Sequence, residues 1–256
     1  MDYGPFMSMT LVAPRPAGNF AYKGIVVPLK ADRSAAMAFD TDLLRWSAGW
    51  GGGFIAWTNI LYDGSHVTHC HVAGEQTFGT APRPGWAKPG TQSFDDPREL
   101  PYGPMPREWA RWNGLYRHRD RVVLSYRIGE TEVLETAELI ERKAVSAFAR
   151  HLHVGPRKVE LLAAVSDTPG TQVELNGSGA RLVRDGDQVR LVVPAGAEAV
   201  DVTVLIAAGD ADVAAALKEV AADGSIKIPR FDELTRGGPA RYEPVVTKTE
   251  FGKGRA

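Results

Sequence analysis

Hydrophobic and polar positions alternate with period two along much of the chain, and the pattern is broken at short intervals by glycine and proline. Residues 19–30 (NFAYKGIVVPLK) read as a strand, followed by 35–40 and by 43–50 across a short connection at Thr41-Asp42, which makes a first meander. Gly51-Gly52-Gly53 then permits sharp or close backbone approaches before an extended apolar run resumes over 54–61. The clearest hairpin joins 121–128 to 131–139 across Gly129-Glu130. Residues 147–154 and 158–165 are expected to pair around Gly155-Pro156. Three shorter runs, 173–175, 180–183 and 188–193, are joined by the turn dipeptides Asn176-Gly177 and Asp185-Gly186. The mostly apolar run 200–206 (VDVTVLI) reads as a central strand. It leads into the one helical pattern, over about 210–222, with Asp210 as N-cap, Val213, Leu217 and Val220 at helical spacing and Gly224 as the stop.

Two segments depart from this alternation. Residues 74–107 hold seven prolines and no sustained period, which predicts a long irregular excursion. Its Phe78, Trp86, Phe94 and Tyr102 predict that it is ordered and pinned to the body, because disordered segments are poor in aromatic residues. From 229 to 256 the chain is polar and non-periodic, as expected of a linker or docking tail. The expected architecture is therefore all-β and mainly antiparallel. It is a single large β-sandwich domain over 1–228, of the two-sheet, supersandwich-like kind, with one helix in the C-terminal half and a long ordered loop.

Composition narrows the functional classes. With 256 residues, 44% of them hydrophobic, one substantial β core can be buried. Thirty basic against thirty-one acidic residues leave no broad field to attract phosphate backbones, so nucleic acid is not an expected partner. The longest apolar stretches, such as 200–208, fall well short of the roughly 20 residues of a membrane span. The residues after Met1 lack the basic and apolar regions of a signal peptide. A single cysteine, Cys70, excludes an internal disulfide, a CxxC metal knuckle and a CxxCH haem attachment motif.

Three groups of residues could carry chemistry. The segment DGSHVTHCHV concentrates His66, His69, Cys70 and His71; in an extended strand His69 and His71 share one face, and with His66 could ligate a divalent metal. His118, His151, His153, Asp63 or Glu75 could complete such a site. All six tryptophans fall between positions 46 and 112, and Trp50, Trp86, Trp109 and Trp112 are candidates for stacking on a glycan; a tryptophan-rich core is the alternative reading. Asp40 and Asp42 are candidate catalytic carboxylates, and could equally bind calcium or cap a turn. The basic run Arg117-His118-Arg119-Asp120-Arg121 reads as a solvated turn or an anion pocket. Nucleophilic triads, phosphate-binding glycine loops and dinucleotide fingerprints are absent.

The stretches DYGPF, YKGIVVPL, AFDTDLLRWSAGWGGGF, PGWAKPG, SFDDPR and WARWNGLYRHRDRVVLSYRIGETEVLE together resemble an uncharacterised domain of large planctomycete and verrucomicrobial proteins. The resemblance implies a periplasmic or secreted multidomain chain, in which this region precedes a β-propeller and a c-type cytochrome domain and which is membrane-bound dehydrogenase-like. It supplies possible partner domains and no catalytic residues. The expected function is a binding or scaffold module, for a glycan or for partner domains. A carbohydrate-active enzyme using the histidine cluster or the Asp40/Asp42 carboxylates is the alternative.

Overall fold

In a computed structural model of the chain, the structure describes residues 4–12, 19–57, 69–99, 103–142 and 145–237, the side chain of Asn19 excepted. The chain runs through β1 (Met7–Val12), β2 (Asn19–Pro28), β3 (Ala35–Asp40), β4 (Arg45–Gly51), β5 (Ile55–Trp57), β6 (Cys70–Val72) and β7 (Glu75–Gly79). An irregular segment follows, then β8 (Ala110–His118), β9 (Arg121–Ile128), β10 (Thr131–Arg142), β11 (Val145–Val154) and β12 (Leu161–Ser166). β13 (Thr171–Gly177), β14 (Arg181–Asp185), β15 (Gln188–Val193), β16 (Val200–Ala208), α1 (Ala211–Ala222) and α2 (Phe231–Leu234) complete it. The fold is an all-β sandwich, as the alternating pattern predicts, and almost every strand pairing is antiparallel. No described helix is long and apolar enough to cross a membrane.

The first sheet has the order β5-β6-β1-β2-β3-β4-β7 and curls on itself. β4 pairs with β7 up to Gly51 and Glu75, and the same two chain segments pair again as β5 and β6, from Ile55 and Val72 onward. They form one two-stranded ribbon bent at residues 51–54 and 73–74. The bend needs glycine: a Cβ on Gly53 would sit 1.7 Å from the Ala73 carbonyl oxygen, and one on Gly74 would sit 2.3 Å from that of Gly51. Bending carries β6 alongside β1, where Leu11 pairs with Cys70 and Val12 with His71 in parallel. β3 and β4 are consequently buried on both faces. Inside the curl, Trp50 is ringed by Leu11, Val26, Cys70, Ala36, Ala38 and Ala48; the small residues leave room for one indole.

The second sheet, β13-β16-β11-β10-β9-β8, faces the first, and a third of three strands, β12-β15-β14, joins the same core. Ile25, Phe39 and Trp46 meet Leu124, Phe148 and Val202 there, with Ala163 and Leu191 from the third sheet. The outer face of the second sheet is covered by α1, whose Leu217, Val220 and Ala221 pack on Ala147, Ala149 and Leu205. Asp210 caps that helix, accepting bonds from the backbone N–H of Asp212 at 3.0 Å and Val213 at 3.3 Å.

Several expectations need correction. Residues 147–154 and 158–165 do not pair with each other: β11 lies between β10 and β16, whereas β12 pairs with β15 in another sheet. Asn176-Gly177 is not a turn but the end of β13, paired with Thr203 and Val202. β1 has no counterpart in the sequence pattern, and the irregular excursion starts after β7 rather than at Gly74. The expected tail begins with a docked turn of helix, α2, whose Phe231 is buried; residues 238–256 lie outside the described residues.

Candidate functional site

The structure sends most of the candidate tryptophans inward. Trp50 and Trp86 are fully buried and Trp109 nearly so. Trp50 Nε1 donates to Phe54 O at 2.7 Å, Trp109 Nε1 donates to Trp86 O at 3.0 Å, and the Trp86 backbone forms a bridge to Ala163. None of the three offers a ring face to a ligand, which corrects the stacking assignment. Trp112 is half-buried with its ring 5.8 Å from that of Phe39. The exposed indole is Trp57, at the end of β5, with 49% of its surface accessible. Sequence reasoning did not single it out, since nothing in the local pattern separates an edge tryptophan from a core one.

Asp40 is buried, and its work is local. Its Oδ1 accepts from the backbone N–H of Asp42 at 3.1 Å and Leu43 at 3.3 Å, closing the turn between β3 and β4. Its Oδ2 lies 3.2 Å from Arg45 Nη2, and Arg45 also donates to the carbonyls of Thr80 and Phe20. Burial pushes the Asp40 carboxyl above the ordinary range, opposed by the Arg45 charge. Asp42 is half-buried and pushed up for the same reason, with Lys23 opposing. The Asp40 carboxylate therefore caps a turn, one of the roles open to it from sequence, and Asp42 joins that turn through its backbone N–H.

Of the histidine cluster, His66 lies outside the described residues, as does Asp63. Cys70 faces into the curl, and burial pushes its thiol up to about 11, so it is unreactive at neutral pH. His71, its neighbour in β6, is half-buried with Nδ1 unpartnered. Among the described residues no three His, Cys, Asp or Glu side chains are grouped to hold a metal. His151 and His153 lie on the outer face of the second sheet, with Nδ1 of His151 2.8 Å from Thr203 Oγ1 and Nδ1 of His153 2.7 Å from Asp201 Oδ1. The basic run is a turn: Arg117 Nε donates to Arg119 O, and Arg121 pairs with Glu138 at 2.8 Å.

Two polar clusters escaped the sequence reading. Glu135 is fully buried between the sheets, where it accepts from Trp46 Nε1, Arg150 Nε and Tyr126 Oη, each at 2.7 Å. Arg150 donates onward to Ala164 O at 2.9 Å, so one charge pair ties all three sheets together. Burial first, and the Glu135 charge second, raise the Tyr126 hydroxyl well above its ordinary value and keep it a donor. The available signal was alternation itself, since Glu135 shares its strand face with Val133. Nearer the surface, Asp167 accepts from Ala81 N–H, Arg83 and Arg190, and both guanidiniums lie over the Phe94 ring, at 5.8 and 4.9 Å. That contact fastens the long irregular segment to the third sheet.

A concavity lies between the curled sheet and the second sheet. It is a cleft of about 750 Å³, with Phe148 and Leu139 on one wall and the backbone of Gly51 and Gly52 on the other. Its rim carries Ser34, Glu75, Gln76 and Ser146, and the Lys30–Glu141 ion pair, 3.2 Å long, spans the two sheets beside it. Hydrogen-bonding groups over a small apolar base can hold a polar, multiply hydroxylated molecule. A second hollow of about 590 Å³ beside Gly129 and Lys158 is less suited, because its Arg157 is committed to the carbonyls of Gly155, Pro194 and Glu198.

Residues 37–135 match the model of a family described as "Domain of unknown function (DUF6797)". The match runs from β3 to the middle of β10 and contains the bent ribbon, the long segment and Glu135, so the resemblance to an uncharacterised domain holds over that span. No curated protein and no solved structure matches the chain.

Proposed function

We propose that the chain is a non-catalytic binding module and that the cleft between the curled sheet and the second sheet takes a glycan. The observation that carries this reading is the cleft's lining: polar and charged side chains together with the backbone of Gly51 and Gly52, opposite an apolar wall of Phe148 and Leu139. The Asp40 carboxylate is spent on a turn, and neither it nor Asp42 lines the cleft. Sugar recognition here rests on hydrogen bonds rather than on an indole platform. The finer context drawn from the resemblance, an extracytoplasmic multidomain chain with β-propeller and c-type cytochrome partners, belongs to the same reading.

Isothermal titration of the protein with a panel of soluble oligosaccharides tests it. A saturable isotherm is expected with at least one of them, weakened tenfold or more, about 1.4 kcal/mol, in Gln76→Ala and Ser146→Ala with melting temperature unchanged. No saturable heat with any member of the panel, or binding indifferent to both substitutions, would sink the reading.

A further inference from the structure

We propose that Gly51 is where the ligand meets the backbone, and that its missing side chain selects chains of sugar rings able to lie flat on β4; this rests on the cleft being a glycan site. The glycines around it each have another reason. A Cβ on Gly49 would stand 2.1 Å from the Phe78 ring, and those on Gly53 and Gly74 would strike backbone oxygens at the ribbon's bend. Gly52 has φ +83°, a conformation L side chains rarely adopt. Gly51 has neither reason.

Its φ is outside the left-handed region, and the nearest atom to a Cβ there would be Ser34 O at 3.9 Å, an ordinary contact. It is a paired strand residue, opposite Ala35 on one side and Glu75 on the other. Glycine weakens such a position relative to alanine, and in a strand interior it often marks a place where a ligand or another backbone comes close. Among the described residues no other backbone fills the space over Gly51, which lines the cleft together with Phe148.

That absence leaves a floor of bare backbone on β4, opposite the Phe148 wall and bordered by Glu75 and Gln76. A flat sugar ring resting on it places its C–H face on the peptide plane and its equatorial hydroxyls toward the rim. This chemistry suits an unbranched β-linked chain, and excludes one whose ring carries a bulky substituent on the floor side.

The experiment uses β-1,4-linked hexasaccharides of glucose, xylose and N-acetylglucosamine as probes, with calorimetry and thermal melts on wild type, Gly51→Ala, Gly51→Val and Gln76→Ala. The expected result is binding of at least one probe by wild type, tenfold or more weaker in Gly51→Ala and abolished in Gly51→Val, with the melting temperature of Gly51→Ala equal to or above wild type. Wild-type affinity in both Gly51 variants, with Gln76→Ala weakened, would overturn the role of Gly51 and leave the cleft standing. Wild-type affinity in all three variants would overturn both. A lowered melting temperature in Gly51→Ala would show that the fold itself demands glycine there, which also overturns the proposal. Failure of all three probes to bind wild type would overturn this ligand class, and the wider panel would then decide the cleft.

Discussion

Removing the Glu135 carboxylate would leave the Arg150 guanidinium buried without its counter-charge. Glu135→Ala is therefore expected to cost about 3–5 kcal/mol in urea denaturation, against about 1–3 kcal/mol for Trp46→Phe, which strands only one acceptor bond. Replacing both charges together, as in Glu135→Leu with Arg150→Met, should recover most of the loss, because the desolvation cost disappears with the pair. A Glu135→Ala variant within 1 kcal/mol of wild type would show that the pair does not hold the sheets. Glu138 is a different case. His151, its Nε2 3.6 Å away and so in electrostatic rather than hydrogen-bonding contact, lowers its carboxyl most, with Arg121 adding, to about 2. A carboxylate held below its usual 4.5 stabilises the folded state above that value, and the contribution fades as pH falls from 4.5 toward about 2. Thermal melts across that window should fall less steeply for Glu138→Gln than for wild type, and less steeply in high salt, since Glu138 is partly exposed.

Among the elements, the long irregular segment depends on a few inserted aromatics. Phe94 packs on Ala87 and Ala164 beneath two arginines, so Phe94→Ala is expected to lose about 3 kcal/mol and to speed tryptic cleavage after Arg98. An unchanged cleavage rate would place the anchor elsewhere on the segment. At α1, Asp210→Ala should cost about 1 kcal/mol by removing the cap, measured by chemical denaturation. This helix was legible in the sequence because cap, stripe and stop are all local, and the β9–β10 hairpin was legible because alternation and its turn agree. Where partners are remote, legibility failed. The chain leaves β11 for another sheet at residues 155–160, and no local feature says with which strand β12 pairs. Asn176-Gly177 reads as a turn, yet Asn176 Nδ2 donates to Ala221 O at the end of α1 and the reversal falls two residues later, at Gly179 with φ +83°. Trp50 and Trp86 could not be told from binding residues because the curl and the crossing segment that bury them are tertiary. The cleft draws on residues from Lys30 to Ala208 and has no sequence motif at all.

For the whole molecule, the first sheet differs from an ordinary open one in that its bent ribbon β4–β7 returns as β5–β6 and joins β1 through only two residue pairs. β1 is short and joins β2 with two register irregularities, so it is the easiest strand to remove. Deleting residues 1–12 would strip the partner from one side of both β2 and β6, leaving two rows of unpaired N–H and C=O groups beside the apolar filling around Trp50. Such rows recruit strands from other molecules. The truncated chain is expected to scatter light increasingly with concentration and to bind an amyloid dye, whereas the intact chain stays monodisperse; a truncated protein that remained monodisperse would show that the curl closes without β1. The six residues of β1 thus act as a stopper against self-assembly, and their worth would be measured in colloidal behaviour more than in melting temperature.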